Sequence, residues 1–211
     1  MKTLAIDCAT EACSAALFED SRLVEGRCET IGRGHAERLV PMIAELPDKG
    51  RADRILVSLG PGSFTGVRIG LAAARALGLA WGAPVLGYPT LELVRARSWQ
   101  PQPRAVTVCM NGGHGEWFVQ NFAADAGAED EVRSLPPEEA AKAARHHVIA
   151  GNRARALADL LGDGRLALDL LPDANYAHLL HETRLRTDLT PIYGRGPDAT
   201  PMSARQGRVG V

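Results

Sequence analysis

The chain has 211 residues, 45 % of them hydrophobic, and a formal net charge of -1. That is enough for one large domain or two small lobes with packed cores. The near-neutral balance excludes a chain that grips nucleic acid unaided, because phosphate neutralisation needs a basic excess. Asp7 interrupts the N-terminal apolar run before a signal-peptide core forms, and no run spans a bilayer, so a cytoplasmic protein is expected. Cys8, Cys13, Cys28 and Cys109 lack CxxC spacing and read as thiols of a reducing compartment, with Cys8 and Cys13 able to face each other across a tight hairpin as the minor alternative.

In chain order, Leu4 to Cys8 and Ala12 to Phe18 read as a hairpin, and Arg22 to Thr30 as a third strand. His35 to Leu46 has the apolar spacing of an amphipathic helix, with Pro41 predicting a kink or a late start. Arg54 to Leu59 is a buried strand, followed by a loop and a helix reaching Trp81. Pro84 to Gly87 is a short strand and Thr90 to Arg97 a helix. The first half thus reads βββαβα. A Pro-rich stretch at 98–103 marks a lobe boundary. Beyond it the order partly recurs: a hairpin of Arg104 to Met110 and Glu116 to Phe122, a strand Glu131 to Leu135, a helix Pro137 to Arg145, a strand His147 to Ala150, and helices Arg153 to Leu161 and Ala174 to Leu185. The expected organisation is a first lobe at 1–98, a smaller second lobe at 99–193 and a mobile tail at 194–211. Hairpins feeding strand–helix–strand units require a mixed sheet covered by helices. The fold class is α/β, with two duplicated lobes resembling the actin, Hsp70 and sugar-kinase superfamily.

The loop Gly60-Pro61-Gly62-Ser63-Phe64-Thr65-Gly66 has the look of a phosphate loop. It lacks the Gly-Lys-Ser/Thr ending of a Walker loop and the GxGxxG spacing of a dinucleotide site. Gly62, Ser63 and Thr65 remain candidates for contact with an anion or nucleotide, against the plainer reading of a Gly-Pro turn and a helix N-cap. In the helix that follows, Gly66, Gly70, Ala74, Gly78 and Gly82 recur every four residues and form a ridge almost free of side chains. Each interior glycine costs about 1 kcal/mol against alanine, so a close approach must offset it. Only Arg68 and Arg75 are charged, so the helix is covered on more than one side. One cover is the lobe's own sheet. The other is either the helix His35 to Leu46 or a second protein.

Four stretches carry a family resemblance: Ala5-Ile6-Asp7-Cys8-Ala9-Thr10-Glu11-Ala12-Cys13-Ser14; His35-Ala36-Glu37-Arg38-Leu39-Val40-Pro41-Met42-Ile43; GPGSFTGVRIGLAAARALG; and Thr190-Pro191-Ile192-Tyr193-Gly194-Arg195. They resemble the bacterial TsaB (YeaZ) family, over roughly the first 90 residues and the C-terminal ending. The resemblance implies a scaffold or dimerisation subunit in the addition of threonylcarbamoyl to N6 of the adenosine beside the tRNA anticodon. It implies a catalytic TsaD-type partner, a TsaE-type ATPase, self-association as a homodimer, tRNA contact only through the complex, and nucleotide only at the interface with TsaD. It also implies docking through the first two helices. The partner-binding candidates are then Leu39, Met42 and Ile43 on the first helix and Val67, Gly70, Leu71 and Ala74 on the second. Asn111-Gly112-Gly113 departs from the Asp-Ala-Arg usual in the family's second hairpin.

An ATP-dependent kinase or transferase of the same superfold and a glycoprotease-like metalloenzyme are the alternatives. Asp7 stands where such kinases hold an acidic residue, but Cys8-Ala9-Thr10 supplies no phosphate-binding glycine. The catalytic relative's His-x-x-x-His metal pair is missing from Tyr88-Pro89-Thr90-Leu91-Glu92-Leu93-Val94. His146 and His147 point to opposite faces of a strand, and His178 and His181 lack a third ligand. His35 reads as a cap or interface contact. No catalytic residue, metal or resident cofactor is expected.

Overall fold

The computed structural model describes residues 1–99, 102–124, 127–162 and 164–194; the expected tail from Arg195 onward lies outside them. The first sheet is built from β1 (Lys2–Asp7), β2 (Ala12–Glu19), β3 (Arg22–Thr30), β4 (Arg54–Ser58) and β5 (Val85–Tyr88), in the order β3-β2-β1-β4-β5. The hairpin strands pair antiparallel, Lys2 opposite Glu19 and Asp7 opposite Ser14. β1, β4 and β5 run parallel, with Ile6 opposite Val57 and Val57 opposite Gly87. Parallel neighbours need crossovers, which α1 (His35–Ala44) and α2 (Phe64–Trp81) supply. α3 (Thr90–Ser98) then leads toward the second sheet.

β6 (Val106–Gly113), β7 (Glu116–Ala123), β8 (Gly127–Ala128), β9 (Arg133–Leu135), β10 (Val148–Ala150) and β11 (Leu166–Leu168) form the second sheet. Its order is β8-β7-β6-β10-β11, with β9 also on β7. α4 (Pro137–Ala143) and α5 (Ala154–Leu161) pack together over one face. An antiparallel hairpin edge, a central first strand and two parallel strands beyond it occur in both sheets. The duplication is therefore a repeat of topology, and each unit runs one strand further than βββαβα, through β5 and β11.

Leu4, Ile6, Cys8, Ala15 and Leu17 point to one face of the first sheet and are covered by α1 and α2; Ala5, Ala16, Phe18 and Leu56 point to the other. What covers that second face comes from the chain's end. Ala174–Leu179 and Glu182–Arg184 are two 3-10 turns rather than the expected single helix. Asp173 accepts from Asn175 N–H and His181 from Thr183 N–H, so each turn is started afresh by its own cap. Ala174 and Ala177 pack on Phe18 and Tyr88. Arg186 bridges to Gly87, and Ile192 N–H donates to Leu59 C=O at 2.7 Å. By packing, residues from about 173 to 193 belong with the first sheet, not with the second lobe to which the sequence boundary assigns them. α1 starts at His35 and continues through Pro41 to Ala44 without a break.

Candidate functional site

The glycines of the 60–66 loop have a structural cause. A Cβ on Gly62 would stand 2.0 Å from Ala9 C=O, and one on Gly66 would stand 2.0 Å from Cys8 C=O. The loop is pressed onto the end of the first hairpin so closely that only hydrogen fits. Three amides around it are used locally: Ser63 N–H donates to Ala9 C=O at 2.7 Å, Gly66 N–H to Ser63 Oγ at 3.1 Å, and Val67 N–H to Ser63 C=O at 2.9 Å. Of the anion candidates, Gly62 is a packing residue, Ser63 the N-cap of α2, and Thr65 an exposed first-turn residue.

Asp7, where a kinase of this superfold would meet its metal–phosphate group, is 1 % exposed. Ala9 N–H donates to its Oδ1 at 2.9 Å, and Tyr88 O–H donates both to Oδ2 at 3.1 Å and to Ile6 C=O at 2.9 Å. Burial raises its pKa to about 6 against the lowering effect of the Ala9 and Tyr88 bonds. A carboxyl this deeply buried and held by the Tyr88 hydroxyl is sealed from a phosphate in solvent. Across the mouth of the two lobes, Asn152 Nδ2 donates to Glu11 at 2.9 Å while its Oδ1 accepts from Asn111 N–H at 2.8 Å.

The seven partner-binding candidates are corrected by burial. Leu39, Met42, Ile43, Val67, Leu71 and Ala74 are at most 4 % exposed, and Gly70 is buried with them. All lie in the core between the helices and the first sheet: a Cβ on Gly70 would meet Val57 at 3.6 Å, Cys8 at 3.7 Å and Ile6 at 3.9 Å. The body approaching the glycine ridge is therefore the chain's own sheet.

The opposite faces of the same helices are exposed and largely apolar. α2 presents Phe64, Ala72, Ala76, Leu79 and Ala80, interrupted by Arg68 and Arg75. α1 presents Ala36, Val40 and Ala44, one helical turn apart. Leu79 is 88 % exposed, Phe64 56 % and Val40 55 %. Burying a leucine or phenylalanine stabilises by roughly 1.5–3 kcal/mol, so several left in water on adjacent helices make an exposed apolar patch with unused burial energy. The C-terminal segment extends it. The Arg68 guanidinium lies over the Phe64 ring at 3.5 Å and donates to Tyr193 Oη at 3.1 Å, with the Phe64 and Tyr193 rings 5.6 Å apart. The signal that could have placed this face was Arg68 and Arg75 themselves. Charged residues mark the solvent side, and Phe64, Ala72 and Leu79 lie four positions from one or the other.

Four of the six histidines have separate structural partners. His35 Nε2 lies 3.2 Å from Ala12 C=O and ties the start of α1 to the hairpin. His146 faces Glu129 at 3.2 Å, His178 stacks on Phe18, and His181 caps the 182–184 turn. Among the described residues no group of three or more His, Cys, Asp or Glu is placed to hold a metal ion. No helix of the described residues is long and apolar enough to cross a membrane.

Two sheets of identical strand order, each an antiparallel hairpin edge on a parallel core, define the actin, Hsp70 and sugar-kinase superfold. The chain belongs to the family whose model is described as TsaD: tRNA N6-adenosine threonylcarbamoyltransferase, which matches residues 29–170. Within it the chain is of the TsaB (YeaZ) kind. It is 34 % identical over 148 residues to the tRNA threonylcarbamoyladenosine biosynthesis protein TsaB of Escherichia coli K12, covering 65 % of this chain and 64 % of that one. An uncharacterized protein of Mycobacterium tuberculosis H37Rv is 43 % identical over 98 residues, 43 % of this chain and 46 % of its own. These matches thus span from under half to under two thirds of the length of those relatives. The solved structure of YeaZ from Pseudomonas aeruginosa superposes with a TM-score of 0.70 at 31 % identity, covering 84 % of this chain and 89 % of that one.

Proposed function

We propose that this chain is the non-catalytic scaffold of a complex that adds threonylcarbamoyl to N6 of the adenosine beside the tRNA anticodon, and that it carries a TsaD-type catalytic subunit on the exposed faces of α1 and α2. The observation behind the docking assignment is the exposed apolar face of Val40, Phe64 and Leu79 on two adjacent helices. The sealed Asp7, the close packing of Gly62 and Gly66 on the first hairpin and the histidine-free Thr90–Ser98 helix support a role without chemistry of its own. The same face serves self-association as a homodimer when the partner is missing. A TsaE-type ATPase completes the complex, and tRNA is reached only through it, in keeping with the net charge of -1. We assign the chain no resident cofactor, place any nucleotide at the interface with the partner, and place the complex in the cytoplasm.

The test is reconstitution. Purified TsaD-type and TsaE-type subunits modify tRNA in the presence of this chain and lose most of that activity without it. Full-rate modification in its absence refutes the scaffold role. Leu79→Asp and Val40→Asp, both on exposed positions, test the docking face: each should keep the fold and lose the partner in a pull-down. Retention of the partner by both places the interface elsewhere.

A further inference from the structure

Cys8 and Cys13 stand at the closed end of the first hairpin. The β1–β2 register continues from Asp7 opposite Ser14, which sets Cys8 directly opposite Cys13. Opposed residues of antiparallel strands have Cα atoms about 4.5–5.5 Å apart, inside the roughly 4.4–6.8 Å window of a disulfide. Both side chains point to the same face of the sheet, with Ile6 and Ala15, and their sulfurs are 3.8 Å apart. Cys28 is exposed and pairs with Ser14 from β3, so its side chain points to the other face of the sheet from Cys13. The contact joins two groups that are already aligned and need only a closing movement of the sulfurs to about 2.0 Å.

We propose that Cys8 and Cys13 are a redox-active dithiol that a peroxide converts into a reversible intrachain disulfide. The contact between the two buried sulfurs lowers the pKa of Cys13 and raises that of Cys8, so Cys13 is the first to lose its proton and reacts first. Its sulfur attacks one peroxide oxygen; the O–O bond breaks, hydroxide leaves, and Cys13 becomes a sulfenic acid. Cys8 then attacks the Cys13 sulfur, the S–O bond breaks, and the Cys8 proton departs with the hydroxyl as water. Two thiols are oxidised by two electrons and the peroxide is reduced by two. A dithiol reductant reverses the bond by exchange.

The position gives the bond a consequence. Cys8 C=O is the atom against which Gly66 of α2 is pressed, Ala9 C=O holds Ser63, and Ala12 C=O holds His35 of α1. The starts of both helices are therefore seated on the segment the disulfide would tighten. That this reaches partner docking rests on the proposed function; the disulfide itself does not, so the two fail separately.

The experiment treats the intact protein with hydrogen peroxide, blocks remaining thiols under denaturing conditions with an alkylating reagent, and digests with trypsin. The peptide Thr3–Arg22 holds both cysteines and no internal Lys or Arg. Expected is loss of both labels and of two hydrogens from that peptide, with both labels regained after dithiothreitol. Cys8→Ser should instead accumulate a dimedone-reactive sulfenic acid at Cys13. Oxidation of exposed Cys28 while Thr3–Arg22 keeps both labels would overturn the proposal, as would irreversible oxygen addition to that peptide without the cross-link.

Discussion

Replacing Asp7 with asparagine removes a charge that the fold holds against its preference. The carboxyl is raised from 3.8 to about 6 by burial. The native state therefore binds this proton more tightly than the unfolded chain, and stability falls as pH rises from about 4 through 6, then levels off. A shift of that size at about 1.4 kcal/mol per pH unit amounts to a penalty of roughly 3 kcal/mol at pH 7, and under about 1 kcal/mol at pH 4. Asparagine reproduces the protonated pattern. Its Oδ1 accepts from Ala9 N–H, and its Nδ2 donates to Tyr88 Oη while the tyrosine hydroxyl still donates to Ile6 C=O. Asp7→Asn should thus gain stability over the wild type by up to about 3 kcal/mol at pH 7 and by much less at pH 4. Urea unfolding of both proteins at the two pH values gives the difference directly, because other titrating groups cancel. A variant no more stable than wild type at pH 7, or a gain that does not shrink at pH 4, refutes the reasoning.

Glycines along α2 should respond in opposite senses. Gly70→Ala places its methyl in ordinary contact with Val57 and gains about 1 kcal/mol of helix propensity, whereas Gly66→Ala drives a methyl into Cys8 C=O and should lower the melting temperature sharply; equal effects in thermal unfolding would contradict the packing described. Leu71→Asp puts a charge in the lobe core and should unfold the protein, while Leu79→Asp should change stability by less than about 0.5 kcal/mol and yet shift the protein to monomer in light scattering. Ending the chain at Leu171 strips the cover from Ala5, Ala16, Phe18 and Leu56, and should yield aggregated or dye-binding material rather than a folded first lobe by circular dichroism and dye fluorescence.

The sequence pattern located β1 to β5 and the first three helices because their apolar runs are long and their turns carry Gly, Pro or Asp. It placed α2 but not its orientation. An all-round Gly, Ala and Leu helix has almost no polar phase, and a ridge of glycines looks the same whether a sheet or a partner lies against it. Only the atoms pressed on Gly66, Gly70 and Gly78 distinguish the two. Leu166–Leu168 was missed since three residues show no periodicity. Ala174 to Leu185 has helical spacing, but Asp173 and His181 cap successive short turns, a competition between side chain and backbone that apolar spacing does not register. The exposed apolar face at Val40 and Leu79 was hidden for the same reason as the orientation of α2, with Arg68 and Arg75 as its markers.

The return of residues 173–194 to the first sheet has a consequence in time. Ala174 N–H donates to Ser14 Oγ at 3.0 Å, Arg54 pairs with Glu182 at 2.8 Å, and Arg68 meets Tyr193, contacts that join the two ends of the chain across more than 120 residues. A ribosome adds about 5–20 residues per second, so several seconds separate the emergence of β2 from that of its cover. Through that interval the face of Phe18 and Leu56 has no partner of its own, and the lobe that bears α1 and α2 is the first to be made and among the last to be finished. A copy cut short of Tyr193 therefore carries α1 and α2 but lacks the ring that extends their exposed face beside Phe64 and Arg68.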